Sequence, residues 1–183
     1  MKLMNSLDPA ESVLLLVDIQ ERLLGAMSDG DAARVVRVAE TLLIGAAALD
    51  VPVVISEQYP RGLGATAAPL LAHFGGHAVA KTVFDASAVP EIRSALEGRR
   101  HVIVAGMEAH ICVHQTVRGL KAEGFEVTVA SDATCSRAKE HHRLAEGLWR
   151  DSGASVSCGE AILFDWLGKA GGDAFKTISK AIR

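Results

Sequence analysis

Apolar residues fall along this chain in short unbroken runs, separated by stretches of helical period. Residues 13–17, 51–55, 102–105, 127–130 and a weaker 154–157 each read as a strand buried on both faces, because a strand with one wet face alternates instead. Residues 77–80 read as an extra or edge strand. The intervening segments predict helices. Residues 31–49 carry Val35, Val38, Leu42 and Leu49 on one stripe, and 90–97 open on a proline, which suits a first helical turn. Residues 111–123 place Val113, Val117 and Leu120 on one face and stop at Gly124, a residue able to take the left-handed position after a helix. Residues 139–151, 160–170 and 173–182 complete the set. Strands alternating with helices specify the α/β class: a three-layer α-β-α arrangement around a central, mostly parallel sheet of Rossmann-like topology, with right-handed crossovers. No internal repeat, linker or composition break divides the chain, so residues 1–183 are expected to form one domain.

Composition narrows the classes. Hydrophobic residues are 49% and charged residues 22% of the 183, enough apolar material for a sizeable core. The formal charge of -3, with both signs interspersed, argues against a nucleic-acid or anionic-membrane surface. The N-terminal MKLMNSLDPAES lacks the apolar run of a signal peptide, and no run approaches the ~18 apolar residues of a membrane span. Three cysteines without a CxxC pair point to free thiols in a reducing cytoplasm rather than to disulfides or a structural zinc. Neither a GxGxxG nor a GxxxxGK[ST] pattern is present, so no nucleotide or other cofactor is expected.

In open parallel sheets, sites form beyond the carboxyl ends of the strands. Asp18 follows the first strand, Lys81 follows the 77–80 segment, and Cys112 follows the 102–105 strand and opens a helix. A carboxylate, an amine and a thiol therefore share one rim. A thiol in a first helical turn meets unpaired N–H groups and the positive end of the dipole, which favour the thiolate and leave donors for an oxyanion. Asp18 would then exchange the proton and Lys81 would stabilise negative charge. Each residue also has a plainer reading: Cys112 as a buried structural thiol, Asp18 as a helix cap, Lys81 as a snorkelling side chain. Gln20 could orient Asp18 or a substrate. Tyr59 and Phe84, in loops on the same rim, could wall an apolar pocket, and His110 could line its mouth. Glu108 could orient nearby backbone or Lys81, while Asp132 reads as a loop cap and His141 and His142 as surface residues.

The segments LLLVDIQERLL, SEQYPRGLGAT, KTVFDAS, VIVAGMEAHICVHQTVRGLKAEGFEVTVASDATCSR and GASVSCGEAILFDWL together resemble the isochorismatase-like cysteine hydrolase superfamily, which includes nicotinamidases. The resemblance covers about residues 12–168 and is most like the branch of isochorismatase-domain proteins with mostly unassigned substrates. It implies a catalytic triad of Asp18, Lys81 and Cys112. It further implies a cis peptide between Met107 and Glu108 and an oxyanion hole from the N–H groups of Glu108 and Cys112. The implied reaction is hydrolysis of an amide or related C–N bond in a small molecule, through a thioester. It also implies a homo-oligomer. The nicotinamidase metal pair, Asp-x-His, aligns with Gln58 and Pro60, so no metal is expected. Two other classes compete with hydrolysis: a thiol-redox protein, for which Cys135 is the nearest resolving cysteine in sequence, and a non-catalytic binding scaffold.

Overall fold

The computed structural model describes residues 7–183; residues 1–6, part of the N-terminal segment considered above, lie outside the described residues. The strands are β1 (Ser12–Val17), β2 (Val53–Gln58), β3 (Val79–Lys81), β4 (His101–Met107), β5 (Glu126–Cys135) and β6 (Ser155–Ser157). The helices are α1 (Glu21–Leu24), α2 (Asp29–Ala48), α3 (Pro60–Leu63), α4 (Ala68–Leu71), α5 (Pro90–Leu96), α6 (His114–Ala122), α7 (Lys139–Asp151), α8 (Gly159–Leu167) and α9 (Gly172–Ala181). A five-residue π turn, Ala109–Val113, runs directly into α6.

All neighbouring strands are parallel, in the order β3-β2-β1-β4-β5-β6. The sequence therefore understated the sheet, which is wholly rather than mostly parallel among the described residues. β1 and β4 are buried at every position, as their unbroken apolar runs require. One core lies between the sheet and α2, α8 and α9, built on Leu14, Leu16, Leu42, Leu163 and Ile178. The other lies under α5, α6 and α7, built on Leu15, Ile92, Val104, Val117 and Trp149. Side chains alternate between the two cores along β1, which is the period-two geometry of a strand.

Two strands run further than their apolar patterns. β2 continues through Ser56, Glu57 and Gln58, because each of these polar side chains finds a partner inside the fold. β5 continues past the polar Ser131 and Asp132 to Cys135, with a register shift against β4 between Val104 and Gly106, so that Cys135 pairs with Met107. Asp132 caps α8, its carboxylate accepting from the Gly159 N–H at 2.8 Å. The short β3 closes one edge and starts two residues later than the pattern suggested.

The chain order reverses between β1 and β4. There Gly106, at φ 133°, lies against the Val17 backbone so closely that a Cβ would meet the Val17 carbonyl oxygen at 2.0 Å. Only glycine allows these two strand ends to approach.

Candidate active site

The crevice at this reversal is where parallel sheets place their ligands. Asp18 leaves β1 in the left-handed region, at φ 55°. Its N–H donates to the Ser56 carbonyl at 3.1 Å, which turns the carboxylate back over the sheet instead of out to water. That carboxylate is fully buried. Oδ1 accepts from the Ser56 hydroxyl at 2.7 Å and Oδ2 from Lys81 Nζ at 2.7 Å.

Lys81 ends β3, and its side chain is fully buried. Nζ donates to Asp18, to Gln58 Oε1 at 2.7 Å, and to the carbonyls of Val83 and Phe84 at 3.2 and 3.4 Å. A buried ammonium is tolerable only when paired and hydrogen-bonded, and this one is surrounded by acceptors. Gln58 is held in turn. Its Nε2 donates to the Thr82 carbonyl at 2.8 Å, and its backbone N–H donates to Gln20 Oε1 at 2.8 Å.

Cys112 lies in the π turn, 6% exposed, near enough to Asp18 and Lys81 for both charges to act on its thiol. The three residues expected on one rim are therefore electrostatic neighbours at one strand-end crevice. The thiol itself departs from expectation. Burial, reinforced by the charge of Asp18 and the hydrogen bond to it, pushes Cys112 up from 9.0 to about 12, and Lys81 offsets this only in part. The helix start does not leave a standing thiolate here, because desolvation outweighs the dipole.

The Met107–Glu108 peptide is cis, and both residues are buried. Ile111 and Val113 donate their N–H groups to the Glu108 carbonyl at 3.0 and 3.3 Å, which shapes the turn carrying Cys112. The Glu108 side chain does not reach Lys81. It accepts from the Arg137 backbone N–H at 2.9 Å and from Arg137 Nε at 3.2 Å, tying β4's exit to β5's.

The outlying candidates separate into rim and support. Tyr59 and Phe84 are 56% and 50% exposed, on the loops beside Lys81, and Tyr59 flanks an open groove of about 590 Å³ with Pro60, Val83 and Val89. Gln20 is not available to a substrate. It is fully buried, and its amide bonds the Gln58 N–H, the Gln58 carbonyl and the Gly64 carbonyl, so it fixes the loop after β2. His110 turns away toward β5 and α7, with Nδ1 2.9 Å from the Ser136 hydroxyl and its ring 4.4 Å from that of His141. Burial lowers its pKa, with Glu108 opposing. Of the two histidines read as surface residues, His141 is exposed but stacked on His110. His142 is half-buried, with Nε2 2.9 Å from the Thr134 hydroxyl. Sequence reasoning placed Ser56 at a strand end on this rim without giving it a role, and missed Arg137.

The nicotinamidase metal does not fit these residues. The only side-chain oxygen at its position, Gln58 Oε1, is spent on Lys81, and Pro60 offers no donor. Among the described residues no cluster of three or more His, Cys, Asp or Glu side chains could hold an ion.

The model of the isochorismatase domain matches residues 12–161. The chain belongs to the isochorismatase family. Isochorismatase domain-containing protein 2 of Pongo abelii is 37% identical over 178 residues, covering 96% of this chain and 84% of that protein. Isochorismatase domain-containing protein 1 of Danio rerio is 35% identical over 98% of this chain, which spans only 64% of that relative's length. Among solved structures, MAR1 ribonuclease from Caenorhabditis elegans superposes with a TM-score of 0.91 at 29% identity, over 97% of this chain and 92% of the other. The family fold is thus established for this chain, a parallel sheet covered by helices on both faces.

Proposed function

We propose that this member of the isochorismatase family is a cysteine hydrolase acting on an amide or related C–N bond of a small molecule, through a thioester on Cys112. The observation that carries the reading is the fully buried Asp18–Lys81 ion pair beside a buried thiol that feels both charges. Asp18 takes the thiol proton as Sγ attacks the carbonyl carbon, so no free thiolate has to accumulate at neutral pH. Lys81 holds Asp18 in place through the 2.7 Å ion pair and balances the charge that moves to sulfur. The N–H groups of Glu108 and Cys112 receive the oxyanion. As the tetrahedral adduct collapses, the C–N bond breaks and Asp18 returns the proton to the leaving nitrogen. Water then cleaves the thioester, releasing the acid and the thiol. Tyr59 and Phe84 supply an apolar rim for the acyl group. We treat the chain as one hydrolase domain over residues 1–183, cytoplasmic and self-associating; none of its described helices is long and apolar enough to cross a membrane.

The test is intact-protein mass spectrometry after mixing with p-nitrophenyl acetate, followed by a panel of small amides. An acyl adduct that maps to Cys112, is released by hydroxylamine and is absent from Cys112→Ala supports the reading. Turnover that persists unchanged in Cys112→Ala overturns it. Cleavage of a labelled oligonucleotide, measured in parallel, addresses the activity named for the nematode neighbour. RNA cleavage lost in Cys112→Ala, with no acyl adduct, would replace the amidase reading with a phosphodiesterase one.

A further inference from the structure

A second concave site lies at the carboxyl end of β5. It is a cavity of about 240 Å³ between the start of α2 and the start of α7. Its floor is Cys135 and Ser136, 2% and 4% exposed, and its walls are Arg34, Lys139 and Arg143, with Asp31 at one side and the His142 ring, held at the Thr134 hydroxyl, at the other. Three cations against one carboxylate leave two positive charges unbalanced. The carboxylate is already committed: Asp31 pairs with Arg34 at 2.9 Å and accepts from Ser28 at 2.7 Å, and these contacts hold its pKa below the ordinary value.

Arg34 is a built part of the wall. Its guanidinium is clamped by the carbonyls of Asp132 and Thr134, which close the end of β5. Lys139 and Arg143 are different. Among the described residues neither makes an ion pair or a hydrogen bond, and Lys139 acts on Asp31 only through its longer-range field. They lie four residues apart on α7, the spacing at which like charges oppose a helix. Lys139 is also the first residue of α7, where a cation is unfavourable, and Ala138 before it offers no side-chain cap. Glu140 relieves this only partly, because it is exposed and does not line the cavity. The chain thus concentrates uncompensated positive charge around a concave space, at a cost to the isolated helix.

We propose that this cavity binds a small dianionic oxyanion, the phosphate group of a free phosphate or a phosphate monoester, between Lys139 and Arg143. Two unbalanced positive charges match a dianion, and a guanidinium with an ammonium is the usual pair of donors for phosphate oxygens. The site is separate from the triad, although Ser136 on its floor also touches His110, two residues before the nucleophile. It does not depend on the hydrolase reading.

The experiment is isothermal calorimetry of the full chain with inorganic phosphate at pH 8 and fixed ionic strength, beside the Lys139→Gln/Arg143→Gln double variant. Both side chains are exposed, so the variant is expected to melt with the wild type. The expected result is saturable one-to-one binding, weakened about tenfold or more in the variant. Amide shifts in a ¹⁵N spectrum should concentrate at residues 31–34 and 135–143. No saturable binding, equal binding to the variant, or shifts confined to other residues would each overturn the proposal. Malonate binding as tightly as phosphate, with the same loss in the variant, would overturn the phosphate assignment. A phosphate monoester such as glycerol 3-phosphate separates the sources: tighter binding than inorganic phosphate supports a monoester, and equal binding supports the free ion.

Discussion

Two buried cysteines stand at adjacent strand ends, Cys112 after β4 and Cys135 at the end of β5. Burial is the largest cause in both cases, and both thiols are pushed up to about 12. By that measure they are twins, yet their surroundings differ. Cys112 lies under the charge of Asp18, which is itself bonded to Lys81 and Ser56. Cys135 lies under the fields of Arg34, Asp31 and Glu108, and neither Asp18 nor Lys81 acts on it. A raised thiol therefore marks desolvation. A nucleophile is marked by the carboxylate that can receive its proton during attack.

The most decisive way to break this contrast is to delete each sulfur in turn. Cys112→Ala is expected to lower kcat/KM for an activated ester by about 10³-fold or more, while Cys135→Ala leaves it within about twofold. Comparable losses in steady-state kinetics would end the distinction.

Stability should separate the two regions next. Lys81→Met strands the fully buried Asp18 carboxylate and is expected to cost about 3–5 kcal/mol in urea denaturation. Cys135→Ala removes one buried sulfur from a wall without a buried ion pair and should cost about 1 kcal/mol.

Asp18→Asn sharpens the comparison through opposite signs. The carboxylate raises the Cys112 pKa both by its charge and by its hydrogen bond. Its loss should therefore speed iodoacetamide alkylation of Cys112 at pH 8 by about tenfold, one unit of pKa, while abolishing hydrolysis. Cys135 should alkylate at an unchanged rate. Slower alkylation of Cys112 in this variant would show that Asp18 activates the thiol in the ground state instead.

The smallest effect is alkaline. Both thiols have folded values near 12 against an ordinary 9.0, so between these pH values the unfolded chain releases protons that the folded chain keeps. Their contribution is full below about pH 9 and is lost as pH rises toward 12. Thermal melts from pH 8 to 10.5 should show this fall, and Cys135→Ala should flatten it by about half while leaving the Cys112 share.

The strands of the site were legible because a parallel strand covered on both faces must be apolar throughout, as β1 and β4 are. The positions of Asp18, Lys81 and Cys112 followed from the rule that places chemistry at strand carboxyl ends. The extensions of β2 and β5 were not legible. Ser56, Gln58, Ser131 and Asp132 look like loop residues until their partners across the fold are known. Gln20 and His110 were misassigned for the same reason: an amide or an imidazole has no fixed role until the groups around it are placed.

The sequence alone determined the layers, the strand-end positions of Asp18, Lys81 and Cys112 and the family, since periodicity, spacing and motif order are properties of one dimension. The tertiary structure decided the register of β5, the buried network around Lys81, the protonated state of Cys112 and the unbalanced charge beside α7. Those depend on desolvation and on contacts between residues 20 to 100 positions apart, and a charge or a proton is set by what surrounds it in space.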